Sequence, residues 1–400
     1  MAALVAWLDA SSEQQRRMRE IVNLFSDRDS RDELGIGQIR DALSDTLFPG
    51  TSTLFTRARY MLFVPWVFVT AHRPGQETNK IAARVDKSER TLISTLLQQS
   101  DGVGLIGKEA GAALKTLPSN FYWVALRQYG ILRVPSMTRS DVIATGIGTP
   151  ATEEDQPYVP GAWSPTLPPA PKDFPENTDT GFDLSRPEAE WLRDRILEGA
   201  EGSLLAHLLG HRPQPTSDHP WSDPATLSAP TAVREQLRHA RLFSFTVNGA
   251  SLLYNLLLAE AYDASDFDRV DGRVDDYRLR LSEWEREREN LAGDLHSWDR
   301  DDFWELVQKK NSRMAGSMRF MNEWLDRVLT DGPLDLADDT DLRSLIANRE
   351  RRKGAQARLR NARLLQSWSG AAGTGRLTYR WGQVRGILTD LHDGLERDDA

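Results

Sequence analysis

The chain has 400 residues, of which 40% are hydrophobic, so it is long enough to bury a core and to form two or three domains. It contains no cysteine, which excludes disulfides, zinc sites built from thiolates and cysteine nucleophiles. Its formal net charge of -9 argues against a protein covered in nucleic acid, although the total charge does not describe how the charges are distributed.

The first residues, "MAALVAWLDASSEQQRRMRE", have no basic region before their short apolar stretch, which is followed by Asp9. This pattern is not that of a secretory signal. We find no apolar run that approaches the roughly 20 residues of a membrane-spanning helix. We therefore expect a cytoplasmic protein that does not bind a membrane.

Apolar residues recur at steps of three and four along most of the chain, which is the periodicity of one helical face. Early faces lie at 18–25 and 36–47, and a third helix is expected to start near Thr51 and to kink or end at Pro65. Further helices are expected around 87–99, 119–129, 186–197, 232–262, 266–294, 302–309, 313–330, 341–368 and 380–396. The sequence therefore predicts a mainly α, multidomain helical protein with few short strands.

Composition divides the chain into four parts. These are an N-terminal helical domain (1–137), a proline-rich linker or docked loop (138–184), a central helical domain (185–330) and a basic C-terminal helical region (331–400). Proline, glycine, serine and threonine favour turns in the second part. Its aromatic residues Tyr158, Trp163 and Phe174 favour docking on a domain surface over a flexible tether.

Two arginines, Arg57 and Arg59, lie within the apolar stretch "LFTRARYMLF". A buried guanidinium without a partner is very costly, so nearby acids are expected to pair with them. The result would be an ionic clamp that fixes two helices together. The expected acidic partners are Asp32, Glu33, Asp41 and Asp45.

Three helical segments and then the short strand-like run "ILRV" follow one another within residues 85–137. Ser119 would cap the third helix and Gly130 would end it, in the order of a small winged-helix-like unit. Trp123 and Arg127 would then be placed to contact nucleic acid. The alternative is an amphipathic helix that packs its aromatic residues into a core.

Motifs for catalysis are weak. Gly102, Gly104 and Gly107 have the G-x-G-x-x-G spacing of a dinucleotide-binding turn, but a helical pattern precedes them where a strand is required. His207 and His211 are spaced as in a helical metal site, but no third ligand is evident. We therefore predict no catalytic residue, no metal site and no cofactor.

The last part of the chain is rich in basic residues, although the net charge of the whole chain is negative. Between residues 343 and 385, many arginines and one lysine accompany a single acid, Glu350. Such a surface suits a phosphate backbone or an acidic partner, because arginine forms paired hydrogen bonds to phosphate and carboxylate. The residues predicted to bind are Arg349, Arg351, Arg352, Lys353, Arg358, Arg360, Arg363 and Arg380.

Aromatic residues Trp368, Tyr379 and Trp381 are interspersed with these arginines and would offer a stacking surface for bases. The same sequence allows another interpretation. Trp368 and Trp381 would belong to the core with Leu377, Val384 and Leu388. The arginines would then form a solvated face, or would pair with the acidic helix at 266–294 of the same molecule.

Five stretches of the chain resemble a family of bacterial proteins that is known only as a domain of unknown function. They are "WLDASSEQQRRM", "RDELGIGQIRDALSDTLFPGTSTLFTRARYMLFVPW", "LPSNFYWVALRQYGI", "GSLLAHLL" and "LTYRWGQVRGILTDLHDGL". Members of that family tend to be encoded beside superfamily-two helicases and phospholipase-D-like nucleases in anti-phage defence islands. The resemblance therefore implies a subunit of a defence system, but it supplies no catalytic residues.

Together these observations predict a non-enzymatic DNA-binding or adaptor subunit of an anti-phage defence complex. Its expected partners are a helicase or nuclease subunit and DNA. The alternative is a cryptic metal-dependent nuclease whose carboxylates converge only in the folded chain.

Overall fold

The structure, a computed structural model, describes residues 33–73, 75–145, 161–265, 267–330 and 332–398. Within these ranges it contains 15 α-helices, five short 3₁₀-helices and no β-strand, apart from an isolated bridge between Leu132 and Trp163. The predicted mainly α fold class is confirmed. The helical face predicted at 18–25 lies outside the described residues.

The helices run in the following order along the chain. They are α1 (Gly37–Leu47), α2 (Tyr60–Ala71), α3 (Thr78–Gln99), α4 (Pro118–Gln128), α5 (Arg139–Thr145), α6 (Arg186–Gly199), α7 (Leu204–Leu208), α8 (Thr231–Asp263), α9 (Arg273–Asn290), α10 (Ala292–His296), α11 (Arg300–Lys310), α12 (Ala315–Val328), α13 (Thr340–Arg351), α14 (Ala362–Gln366) and α15 (Trp381–Leu395). The 3₁₀-helices are Gly111–Ala113, Pro220–Ser222, Pro224–Thr226, Gly354–Gln356 and Arg358–Arg360.

The described residues form two compact units, each of which is discontinuous in sequence. The first unit comprises the described residues of 33–43 and 238–377, and the second comprises those of 44–237 and 378–398. The domain boundaries predicted near residues 137, 184 and 330 all fall inside a unit. A change in amino-acid composition indicates where a loop occurs. It contains no information about which distant segments pack together into one unit.

Helix α2 is the apolar centre of the second unit, and nearly all of its side chains are buried. It begins at Tyr60 rather than near Thr51, because the preceding residues form turns. Pro65 lies inside the helix and does not end it. The lost hydrogen bond of a proline is tolerated here because burial of an apolar helix stabilises it more than local propensity does.

The predicted winged-helix-like unit is not present in the described part of 85–137. This region contains the end of α3, one 3₁₀-helix and α4, and the run "ILRV" does not form a strand. Ser119 does not cap α4, which starts at Pro118 after Leu117. Instead the Ser119 amide and hydroxyl both donate to the buried Glu89 carboxylate, each at 2.9 Å.

The proline-rich stretch is described from residue 161 onward, and its aromatic side chains pack within the second unit. Trp163 and Phe174 are buried, and the Trp66 indole donates to the Pro168 carbonyl at 2.7 Å. Tyr158 lies outside the described residues. The described part of this stretch is therefore a packed loop that contributes to the core.

Helix α8 supplies the core of the first unit. Two tryptophans bond to its carbonyls, Trp284 to Phe245 at 2.9 Å and Trp324 to Thr246 at 3.0 Å. Gly249 permits the close approach of Trp284, since a β-carbon there would lie 2.7 Å from the indole ring. Among the described helices, α8 alone is long and apolar enough to cross a bilayer by length and composition, and 89% of its apolar window is buried in the structure.

Candidate nucleic-acid interface

The basic segment after α13 is held in place by a buried polar cluster in the first unit. Glu33 pairs with Lys353 and also with Arg358, whose Nη1 lies 2.8 Å from Glu33 Oε1. Glu350 is fully buried and accepts a hydrogen bond from the Arg358 amide at 2.5 Å. The Tyr254 hydroxyl lies between the two carboxylates, 3.4 Å from Glu33 and 3.5 Å from Glu350. We call these five residues the anchoring cluster.

The tyrosine of the anchoring cluster remains protonated. Burial, together with the nearby Glu33 and Glu350 carboxylates, raises the pKa of Tyr254 far above its usual value. The phenol can therefore donate a hydrogen bond but cannot act as a base near neutral pH. The cluster consequently works as a support for the segment that contains Lys353 and Arg358, whose charges are neutralised within the protein.

Other arginines of the basic region, among them the predicted binding residue Arg349, also form contacts inside the first unit. Arg349 Nε donates to the Leu34 carbonyl at 2.6 Å, and its guanidinium lies 5.1 Å from the centre of the Phe320 ring. Arg343 pairs with Glu260, and Arg376 pairs with Glu287 in α9. Pairing with the acidic 266–294 region, the alternative considered above, therefore applies to Arg376 and not to the whole set.

Four predicted binding residues remain exposed, and no partner within the described ranges contacts their guanidinium groups. They are Arg351, Arg352, Arg360 and Arg363, which we call the exposed arginine set. They lie in a stretch of 13 residues that contains no acid (residues 351–363). The nearest acid in sequence, Glu350, is buried and points to the anchoring cluster. These arginines are therefore available to an external anion.

Residues further along the chain do not contribute to this surface. Arg380 belongs to the second unit, where it pairs with Asp45 at 2.6 Å and donates to the Thr51 carbonyl at 2.8 Å. The prediction that Trp368, Tyr379 and Trp381 form a stacking surface is wrong. All three are at most 2% exposed, because large aromatic side chains contribute most when they are buried.

Trp123 and Arg127 on α4 are also turned toward the protein. Trp123 is buried against Phe68 and Trp163, and its indole donates to the Met137 carbonyl at 3.1 Å. Arg127 donates to the same carbonyl, also at 3.1 Å. Trp123 is therefore not accessible as a recognition helix would require, Arg127 is half-buried, and the alternative of a packed amphipathic helix accounts for α4.

Arg127→Ala is expected to leave nucleic-acid affinity within about twofold of the wild type, because its guanidinium is directed to a carbonyl of the second unit. Fluorescence anisotropy with a labelled DNA duplex measures this. A loss of tenfold or more in a variant that melts normally would restore a binding role for α4.

The half-buried Arg57 and the buried Arg59 do form ion pairs, but not with the predicted acids. Arg59 pairs with Glu188 at 2.8 Å, and Arg57 pairs with Asp390, whose two oxygens each lie 3.0 Å from Arg57 Nε. Burial raises the pKa of Asp390, while Arg57 and the Ala58 amide oppose that effect.

The acids of the predicted clamp have other roles. Glu33 belongs to the anchoring cluster, Asp45 pairs with Arg380, and the exposed Asp41 pairs with its neighbour Arg40 at 3.0 Å. Asp32 lies outside the described residues. The prediction failed because Arg57 and Arg59 precede α2 in non-helical backbone, and their side chains reach distant segments instead of the neighbouring helix.

The two weak catalytic motifs have structural roles. The rings of His207 and His211 stack 4.0 Å apart, and each histidine is within hydrogen-bond distance of a backbone carbonyl. Gly104 leaves room for the Arg57 side chain, since a β-carbon at position 104 would lie 2.7 Å from Arg57 Cγ. Among the described residues, no group of three or more histidine, aspartate or glutamate side chains could hold a metal ion.

Comparison with known proteins gives one match. Residues 1–394 match the model of a family that is described as a family of unknown function. No curated protein matches the chain, and no solved structure matches it.

Proposed function

From the premise that this chain belongs to DUF6361, the family of unknown function whose model covers nearly its whole length, we propose that it is a non-catalytic nucleic-acid-binding adaptor. The observation that carries the proposal is the exposed arginine set. Lys353 and Arg358 in the same segment are both paired with Glu33, whereas Arg351, Arg352, Arg360 and Arg363 are exposed and have no partner in the described ranges.

The chemistry of this surface suits a phosphate backbone. Arginine presents a planar fork of donors that matches phosphate, and each phosphate contact releases a condensed counterion. About four such contacts on duplex DNA correspond to a salt slope of roughly -3.6, or an affinity loss of about 10²-fold between 50 and 200 mM salt. Binding of this kind positions DNA without reading its sequence.

The resemblance to proteins encoded in anti-phage defence islands supports a cytoplasmic adaptor that brings DNA to a helicase or nuclease partner. The cryptic nuclease is less well supported. Two acids converge in the first unit. Glu33 is paired with Lys353 and Arg358, and Glu350 accepts hydrogen bonds from the Arg358 amide and the Tyr254 hydroxyl. Carboxylates occupied in this way are not free to hold a catalytic metal.

Charge reversal tests the proposal. The variant Arg351→Glu, Arg352→Glu, Arg360→Glu is expected to weaken binding of any DNA duplex by about 30-fold or more and to flatten the salt slope by about 3. The matched control reverses three arginines at the surface of the same unit that already have acidic partners, Arg278, Arg300 and Arg327. Anisotropy titrations at several salt concentrations give both quantities, and thermal melts show that both variants fold.

Equal weakening in the two variants would show that net charge, and not this surface, governs binding. If the first variant binds DNA normally but no longer copurifies with the partner encoded beside it, the surface is a protein dock and the DNA proposal fails. Magnesium-dependent cleavage of plasmid DNA by the wild type, abolished by a single Asp or Glu substitution, would replace the adaptor by an enzyme.

A further inference from the structure

A pocket of about 290 Å³ lies at one end of the exposed arginine set, in the first unit. Arg363 of that set forms part of its wall, and Arg269 supplies a second cation. Both side chains are exposed, and neither is paired with an acid in the part of the chain that the structure describes. The pocket therefore joins two available guanidinium groups to a concave surface.

Aromatic residues form the apolar side of this pocket. Phe267 packs edge-on against Tyr262, with their ring centres 5.0 Å apart. Tyr262 is buried and packs in turn on the buried Trp368 at 5.9 Å. The Tyr262 hydroxyl accepts a hydrogen bond from the Arg269 amide at 3.2 Å, which fastens the loop beneath Arg269 to the core. The aromatic side is thus supported by two buried rings.

The remaining wall provides hydrogen-bonding groups of both kinds. Gln366 offers an amide donor and acceptor, Ser367 offers a hydroxyl and Asp268 offers a carboxylate. An aromatic face, two cations and a few polar groups within one small pocket match the parts of a nucleotide, which are a flat base, a phosphate and the polar edge of the base.

We propose that this pocket takes one unpaired nucleotide, with the base against Phe267 and the phosphate between Arg269 and Arg363. The inference rests on the proposed function, because the exposed arginine set would lead a strand to the pocket. It also makes that function more specific, since the preferred ligand becomes a single strand. A base in a duplex would have to leave its stack and its pair before it could enter, and the free-energy cost of that step disfavours the duplex.

The volume is consistent with this assignment. About 290 Å³ lies just below the usual range for small-molecule pockets, a size that suits one base with its phosphate rather than a base pair. The same chemistry is present in a free mononucleotide, so the test must separate the strand from the free nucleotide.

The experiment uses the full chain and three probes: a labelled ten-nucleotide strand with one 2-aminopurine, the corresponding duplex, and free dAMP. The pocket variant is Arg269→Ala, Arg363→Ala, and the matched control is Arg351→Ala, Arg352→Ala, which also removes two exposed cations. The pocket variant is expected to lose about tenfold more affinity for the single strand than for the duplex. The control is expected to weaken both to the same extent.

Phe267→Ala provides a measurement that does not depend on charge. In the wild type, 2-aminopurine fluorescence should change when the strand binds, because the base leaves its neighbours and stacks on the ring. In Phe267→Ala this change should disappear, while the salt slope stays the same. A fluorescence change that persists in this variant would overturn the pocket assignment.

The remaining outcomes separate the two proposals. If strand and duplex bind equally well and the pocket variants match the control, the pocket inference is overturned and the adaptor proposal stands. If the wild type binds neither strand nor duplex but binds dAMP through Arg269 and Arg363, the adaptor proposal fails and the pocket is a free-nucleotide site. If none of the three probes binds, both proposals are overturned.

Discussion

Arg59→Ala is expected to lower the free energy of unfolding by about 3 kcal/mol or more, and the melting temperature by roughly 6 °C or more. Arg59 is 2% exposed and donates to Glu188, to the Thr178 carbonyl at 2.9 Å and to the Gly181 carbonyl at 2.7 Å. Its removal leaves a buried carboxylate without its cation and two buried carbonyls without a donor. Such groups cost more to leave unpaired than an ordinary interaction contributes.

The matched control is Arg186→Ala in the same unit. Arg186 pairs with Glu190 on the surface, where both side chains are 44% exposed, so a change of 0 to about 1 kcal/mol is expected. Thermal and urea unfolding of both variants give the comparison. If Arg59→Ala melts like Arg186→Ala, the buried network is absent in solution and a functional role for Arg59 is open again.

Glu33→Ala is expected to destabilise the first unit by about 3 kcal/mol, because one carboxylate serves two cations of the anchoring cluster. Lys353 and Arg358 have only 20% and 15% of their side chains exposed, so neither is well solvated once Glu33 is removed. Exposed arginines flank these two anchored residues on both sides, and the chain continues after Arg358 into the pocket region. Nucleic-acid affinity should therefore fall together with stability.

Asp41→Ala is the appropriate comparison, since Asp41 is 53% exposed and pairs only with its neighbour Arg40 in the described contacts. It should change stability by less than about 1 kcal/mol. Hydrogen exchange of the amides between 350 and 366 reports the loosening of the segment directly. Unchanged protection in Glu33→Ala would mean that the segment is held by something other than its ion pairs.

Helices whose apolar residues recur regularly at steps of three and four were predictable from the sequence. The predicted ranges 186–197, 232–262 and 380–396 correspond closely to α6, α8 and α15, because helical periodicity is a property of neighbouring residues. The single helix predicted at 341–368 is instead α13, two 3₁₀-helices and α14. Gly354, with a φ of +60°, interrupts it, and the arginine-rich sequence contains few other signals of a turn.

Partners that are distant in sequence were not predictable in the same way. The requirement that Arg59 be paired was visible, but Glu188 lies 129 residues away, further than a search of neighbouring acids extends. The sequence did contain one sign of Glu188. The stretch "SRPE" at 185–188 is a capping box, and its Glu188 both caps α6 and forms the ion pair with Arg59. For Asp390, 333 residues from Arg57, the sequence contains no comparable sign.

The division of the basic segment into bound and exposed arginines also required the structure. Arg349 and Arg351 are both in the last turn of α13, yet only Arg349 contacts the Leu34 and Gly35 carbonyls, more than 300 positions away. Charge counting treats the two residues alike. Which one is exposed to solvent depends on the segment that packs beside the helix end.

The discontinuity of the two units determines when each can be completed during synthesis. Helix α15, which packs against α6 and supplies Asp390 to Arg57, is synthesised long after α2, because Asp390 lies 333 residues after Arg57. Domains usually fold as units as the chain emerges, but here neither unit can be completed until late. While the residues after α2 are still being translated, this apolar helix lacks part of its final packing. Aggregation of the nascent chain through α2 must therefore be avoided during that time.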